Sequence, residues 1–232
     1  MCDSNPFQRT SEWFEARCGC LTASRARAVI ARKKNGEPYA EYSTVLEQIV
    51  GERLTGVVSS TGTSAAMQWG IDHEEEARDQ YVIETGRDVA LTGFIEHPVV
   101  KWLGASPDGL VGDDGLVEIK CPTTLVHIKR VAAGVVPEEY KPQMLVQLLC
   151  TGRKWVDFVD YDPRLSDDWE KARFFCVRYE PTEEELQGAL DKCVEFLAVV
   201  DKTISDLEEK VFSYWCAGGV WLDSWHPRSC RH

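Results

Sequence analysis

Apolar positions recur along this chain in two rhythms, one of three to four residues and one of two, the mark of helices interleaved with strands. Thr10 to Arg17 opens with a capping threonine and predicts a short helix, and Thr22 starts a second that runs to about Ala31. Tyr42 to Leu54 is amphipathic through Leu46, Ile49, Val50 and Leu54, stops near Gly56, and is assigned a packing role only. Val57 to Thr63 reads as a small, Ser/Thr-rich loop. Thr63 to Thr85 is a longer helix ended by Gly86, with Ile71, Glu74, Ala77, Arg78 and Tyr81 on one face. Asp88 to His97 alternates as a strand, and the mostly apolar Val99 to Ser106 reads as a central strand. Helices follow from Thr123 to Gly134 and from Pro137 to Leu149, then strands at Lys154 to Tyr161 and Arg173 to Tyr179. Thr182-Glu-Glu-Glu185 is a capping box that opens a long helix to about Phe212. The alternation predicts an α/β fold, a central mixed sheet flanked by helices, in a single domain over 1–232 with a helical and aromatic extension from about 182.

The stretch Ala105 to Pro122 carries the chemistry. Two extended runs flank a turn at Asp113-Asp114-Gly115, as in a hairpin. Strand side chains repeat every two residues, so Glu118 and Lys120 share one face while Val117 and Ile119 share the other. Asp108 stands at the mouth of the first strand, within reach of Glu118. Two carboxylates there suit a hard divalent cation, with the backbone carbonyl of Ile119 as a further oxygen donor. An ordinary solvated hairpin has the same spacing; a polar pair projecting from a buried sheet, however, needs a partner or a task.

Length and composition narrow the field. At 232 residues and 44% hydrophobic, the chain is large enough for one substantial core. No run approaches a membrane span, and Met1 to Pro6 shows no signal-peptide pattern. The nine cysteines are scattered without a Cys-x-x-Cys pair, which leaves no zinc site and suggests reduced thiols in a cytoplasmic protein. A net charge of −12 argues against a general nucleic-acid coat. Any DNA contact must then be local, and Arg25, Arg27, Arg32, Lys33 and Lys34 form the densest basic cluster for tracking a phosphate backbone. Arg17 and Ser24 bracket a helix N-terminus that can receive an anion, though a surface ion pair and a simple cap fit the same residues.

Several stretches together resemble the PD-(D/E)XK nucleases and, more narrowly, the phage-lambda-exonuclease or YqaJ-type viral recombinase family. Ser106-Pro107-Asp108-Gly109 and Glu118-Ile119-Lys120-Cys121-Pro122 match that family's two hairpin strands. Trp13, Arg17, Gly19 and Thr22-Ala23-Ser24 match its N-terminal pattern, Trp69-Gly70, Glu74 and Ala77-Arg78 its long helix, and Tyr140 with Gln143 a later one. Asp162-Pro163-Arg164 repeats a family turn, and the likeness spans roughly Ser11 to Arg178 before fading. The resemblance implies a restriction-endonuclease-like core in which Glu74 adds a third carboxylate to Asp108 and Glu118. It also implies that Arg17, Ser24, Ser106 and Gln143 bind a terminal 5′-phosphate, with Gln147 left open.

What the resemblance implies as a whole is a 5′-to-3′ exonuclease using one or two Mg²⁺ ions, Mn²⁺ being an alternative. It would digest one strand of linear duplex DNA from 5′-phosphorylated ends and leave 3′ overhangs for recombination. Lys120 would orient or deprotonate the attacking water, or neutralise developing charge. Family members act in the host-cell cytoplasm with a single-strand annealing protein and form toroidal trimers around DNA. Met67 would lie near the DNA fork or in the core, and the aromatic run Tyr214 to Trp225 would be a packed tail or a subunit contact. A restriction-type endonuclease on the same hairpin, and a non-catalytic DNA-binding or interaction module, are the competing readings.

Overall fold

The computed structural model describes residues 8–59, 62 and 64–218. Its centre is a five-stranded mixed sheet in the order β2(Val89–Ala90), β5(Gly109–Val111), β6(Gly115–Lys120), β7(Trp155–Tyr161), β8(Phe174–Tyr179). Only β6 and β7 run parallel, with Glu118 opposite Phe158 and Lys120 opposite Asp160. A second, three-stranded sheet sets β4(Leu103–Ala105) between β1(Leu21–Thr22) and β3(Ile95–Glu96). The strands with the strongest branched-apolar character, β6 and β7, are central and buried on both faces.

Two apolar layers cover the main sheet. On one face Leu116, Val156 and Phe158 pack with Met144, Val146 and Leu148 of α6(Lys141–Thr151) and Cys193, Phe196 and Val200 of α7(Glu183–Gly218). On the other, Val117, Ile119 and Val159 meet Ala77 and Tyr81 of α4(Ala65–Thr85). Glu118 therefore points to the α6 side. The remaining helices are α1(Ser11–Arg17), α2(Ala26–Ile30), α3(Glu41–Thr55) and α5(Thr124–Ala133). Their ends carry the expected chemistry: Thr10 and Ser64 accept amide protons at N-caps, while Gly56, Gly86, Gly134 and Gly152 end helices in the left-handed region. Thr182 and Glu185 exchange hydrogen bonds as a capping box, and the helix they open runs past Phe212 to Gly218.

The structure departs from the sequence reading in identifiable places. The strand expected over Asp88 to His97 is two short strands in different sheets, β2 pairing with β5 and β3 with β4. The run Val99 to Ser106 is extended only at Leu103–Ala105 and belongs to the smaller sheet. His97 Nδ1 accepts the amides of Val99 and Val100 at 3.1 and 2.9 Å, and Trp102 adopts a positive φ of 67°, so the chain turns before β4 begins. Thr22 lies in β1 and Ala23–Arg25 is a 3₁₀ turn, so the helix proper starts at Ala26. Pro137 to Tyr140 is a turn and α6 starts at Lys141, with Pro142 in its first turn. The hairpin turn is Gly112-Asp113-Asp114, because Gly115 already pairs with Val111. Part of the predicted loop Val57 to Thr63, and Gly219 to Trp225 of the aromatic run, lie outside the described residues.

Glu52 of α3 is fully buried and ties the N-terminal segment down. It accepts the Gly19 amide at 2.9 Å and the Ser59 amide at 3.0 Å, and pairs with Arg25 at 2.5 Å. Burial pushes its pKa up, but Arg25 and the Gly19 amide outweigh that and hold it below the ordinary glutamate value. Removing it strands a cation and two amides. Glu52→Ala is expected to cost about 3–5 kcal/mol in urea unfolding, and a loss under about 1 kcal/mol would refute this anchoring role.

Candidate active site

The hairpin β5–β6 delivers Asp108, Glu118 and Lys120 to one spot. Gly109 lets the first strand approach β2: a Cβ there would lie 2.1 Å from Val89. Asp108, just before that strand, accepts the Ile119 amide through Oδ2 at 2.7 Å, which fixes the carboxyl against β6. Glu118 has no exposed surface and is surrounded by donors. Lys120 Nζ and Gln143 Nε2 (2.6 Å) reach Oε1, and Gln147 Nε2 reaches Oε2 at 2.5 Å. Gln143 and Gln147, one turn apart on α6, thus present a matched pair of amides to a single carboxylate.

Glu74 comes from α4, as its face assignment required, but it is held by two arginines. Arg78, four residues on, reaches Oε1 at 2.7 Å, and Arg9 reaches Oε2 at 3.0 Å. Among the described residues no three His, Cys, Asp or Glu side chains lie close enough to hold a metal ion as they stand. The carboxyls nevertheless feel one another. Burial, then Glu118 and then Glu74 push the pKa of Asp108 well above the usual aspartate value. Burial works against the charge on Lys120, yet Glu118 and Asp108 hold its amine protonated above the ordinary lysine range. Asp108 and Glu118 on adjoining strands, with no hydrogen bond to Asp108 Oδ1 among the described residues, are a donor set that suits a divalent cation.

A second cluster lies beside the first. Arg17, at the end of α1, directs Nη1 to Ser106 Oγ at 3.3 Å and Nη2 to Ser24 Oγ at 3.5 Å. Trp13 stacks its ring 3.9 Å from the guanidinium and donates Nε1–H to the same Ser106 Oγ at 3.0 Å. Arg17 has no carboxylate partner among the described residues, and burial, followed by the charge of Arg25, lowers its pKa to about 10. A partly buried cation with hydroxyl neighbours and no counter-ion is an anion site in waiting. Of the residues expected there, Arg17, Ser24 and Ser106 are joined by hydrogen bonds, while Gln143 donates Nε2–H to Glu118.

The basic run is more divided than its letters suggest. Arg25 turns inward to Glu52, and Arg32 donates to the carbonyls of Val29 and Ala31. Lys33 and Lys34 are exposed at the Arg32–Pro38 loop. Met67, assigned to the fork or the core, is about half exposed on α4.

A family model described as the YqaJ-like viral recombinase domain matches residues 12–154, well over half of the chain. The chain belongs to this family. Among solved structures, an alkaline exonuclease (LHK-Exo) from Laribacter hongkongensis is 41% identical, with a TM-score of 0.80 over 88% of this chain and 100% of that one. The same enzyme in complex with dAMP gives 41% identity over the same shares, with a TM-score of 0.81. A phage related exonuclease from Haemophilus somnus 129PT shares the fold at 16% identity and a TM-score of 0.60, over 81% of this chain and 96% of that one. No curated protein matches. The matched region holds both clusters of this YqaJ-like chain, and the mixed sheet with flanking helices is the fold of these nuclease neighbours.

Sequence reasoning left Gln147 open, and its partnership with Glu118 was signalled by its spacing of four from Gln143. Arg9 on Glu74 had no signal, because that contact spans 65 residues.

The raised pKa of Asp108 has a stability consequence. The folded state binds that proton more tightly than the unfolded one, so stability falls as pH rises from the unfolded value through the folded one. Asp108→Asn, which can still accept the Ile119 amide, is therefore expected to raise stability in chelator-treated protein by about 1 kcal/mol, or roughly 2–4 °C. A scan at pH 7 showing a lower melting temperature would count against it.

Proposed function

We propose that this chain is a Mg²⁺-dependent 5′-to-3′ exonuclease that digests one strand of linear duplex DNA from 5′-phosphorylated ends and leaves 3′ overhangs. Membership of the YqaJ-like family and 41% identity to an alkaline exonuclease support the coarser statement, a phage-type exonuclease acting on DNA. One observation carries the finer one. Ser106, which joins the uncompensated Arg17, is two residues from Asp108, and two extended residues span at most about 7 Å. A terminal phosphate on Arg17, Ser24 and Ser106 would leave the next phosphodiester at the carboxylates. That geometry favours an end-dependent enzyme over a restriction-type endonuclease, since it reads an end without reading a base.

In this mechanism Asp108, Glu118 and the Ile119 carbonyl would hold the cation, with Glu74, now paired with Arg9 and Arg78, as a further carboxylate. A cation held there would supply water activation and charge stabilisation at the scissile phosphate and the leaving 3′-oxygen. Gln143 and Gln147 hold Glu118 in place, since a carboxylate in a fully buried position needs its lone pairs occupied. Lys120 stands beside Glu118, where it orients the nucleophile or neutralises charge as the phosphate expands. Lys33 and Lys34, exposed on their loop, with Arg32 at its base, contact the DNA backbone further from the cut. A ring-shaped trimer and a single-strand annealing partner belong to the same proposal.

Two measurements test it. Lys120→Ala is expected to lower nucleotide release from end-labelled linear duplex in Mg²⁺ by about 100-fold or more while leaving duplex binding near the unmutated level. Cleavage of closed-circular duplex by the unmutated protein would instead establish an endonuclease. Arg17→Ala is expected to reduce the preference for 5′-phosphate over 5′-hydroxyl ends by about 10- to 100-fold, the worth of a hydrogen-bonded charge contact. Equal rates on both ends before mutation would remove the phosphate role.

A further inference from the structure

We infer that the buried cluster His127–Asp160–Arg130 is a positioning device that acts on Lys120 through the ring of Tyr140. The inference rests on the role given to Lys120 above. His127 and Asp160 have no exposed surface, and Asp160 stands directly opposite Lys120 in the parallel β6–β7 ladder. His127 Nδ1 lies 2.5 Å from Asp160 Oδ1 and Nε2 lies 2.6 Å from the Ala172 carbonyl. Both neighbours are acceptors, so both ring nitrogens carry protons and the imidazole is a cation. Asp160 Oδ2 takes Arg130 Nη1 at 2.6 Å, which makes the aspartate a bridge between two cations. So complete a set of bonds, built from β7 and α5 and the turn before β8, holds the Arg130 guanidinium in one orientation.

That orientation is handed to Tyr140. Arg130 Nη2 donates to the tyrosine hydroxyl at 2.7 Å and to Glu139 at 3.0 Å, and the guanidinium lies 4.9 Å from the ring centroid. The ring also packs on Phe158, 5.3 Å between centroids. With its hydroxyl tied at one end and its face packed, the ring presents its π-surface to Lys120, whose Nζ is 5.2 Å from the centroid. A cation–π contact is directional where a lone ammonium is not, so the ring limits where the amine can sit beside Glu118. Tyr140 is also the N-cap residue of α6, the helix that bears Gln143 and Gln147, so one anchor sets both the amine and the amides around Glu118. Sequence spacing carries no trace of this: His127, Asp160 and Arg130 belong to no motif in the hairpin.

The test compares Arg130→Gln, Tyr140→Phe, their double variant, Tyr140→Leu and Lys120→Ala in the full chain, on 5′-phosphorylated linear duplex with Mg²⁺. Arg130→Gln and Tyr140→Phe are each expected to lower kcat by about 3- to 30-fold with KM for ends within about two-fold, the range of a cation–π contact. The double variant should be no slower than the worse single one, because both break the same link. In the metal-free protein the ¹³C-labelled lysine spectrum gives a readout without turnover. The Lys120 ε-methylene signal, identified by its loss in Lys120→Ala, should be shifted by the tyrosine ring and should lose that shift in Tyr140→Leu. Additive losses, or unchanged kcat and an unchanged signal in both tyrosine variants, overturn the positioning role. Tyr140→Phe decides the matter if Arg130→Gln does not fold, since it leaves the buried ions intact. Full activity in Lys120→Ala overturns the Lys120 role itself, whereas an inactive Lys120→Ala beside active tyrosine variants overturns this inference alone.

Discussion

A carboxylate with no exposed surface has to be satisfied by the protein, and Glu118 is that carboxylate here. It sits on β6, at the middle of the main sheet, facing α6. Leaving its oxygens unpaired would cost several kcal/mol, so the fold brings it two glutamine amides and an ammonium. Those bonds fix how far α6 stands from the sheet and which of its faces looks inward. Core packing and site geometry are thus one arrangement: the face of α6 that turns two glutamines to the carboxylate is flanked by Met144 and Leu148 in the largest apolar cluster.

The N-terminal anion site follows a complementary logic. Arg17 is a cation with no carboxylate partner among the described residues, while Arg25, eight residues on, has a buried glutamate. Glu52 spends its charge on Arg25, Gly19 and Ser59, which holds the turn between α1 and α2 and leaves the Arg17 guanidinium to Ser24, Ser106 and the Trp13 ring. Two arginines so close in sequence have opposite tasks, and the buried carboxylate decides which is which.

Net charge is a poor guide to a site of this kind. The chain carries −12, yet part of that charge is concentrated where a cation is wanted, at Asp108, Glu118 and Glu74. Local fields fall off steeply beyond a Debye length of about 8 Å at physiological salt, so a phosphate at Arg17 responds to the guanidinium it touches rather than to the net charge of the chain. His127 and Arg130, by contrast, are both paired with Asp160.

Local sequence determined most of the parts. Helix ends at Gly56, Gly86, Gly134 and Gly152 were legible because a left-handed terminator is a property of the residue itself. The shared face of Glu118 and Lys120 was legible because strand periodicity is exact backbone geometry, and the motif Ser106-Pro107-Asp108-Gly109 was legible as a pattern of residues. What tertiary structure alone decided was pairing over long separations. It split Asp88 to His97 between two sheets, brought Gln143 to Glu118, placed Arg9 on Glu74, and ran His127, Asp160 and Arg130 into one buried cluster. Periodicity records which way a side chain points from its own element; which partner it meets depends on how elements far apart in the chain pack together.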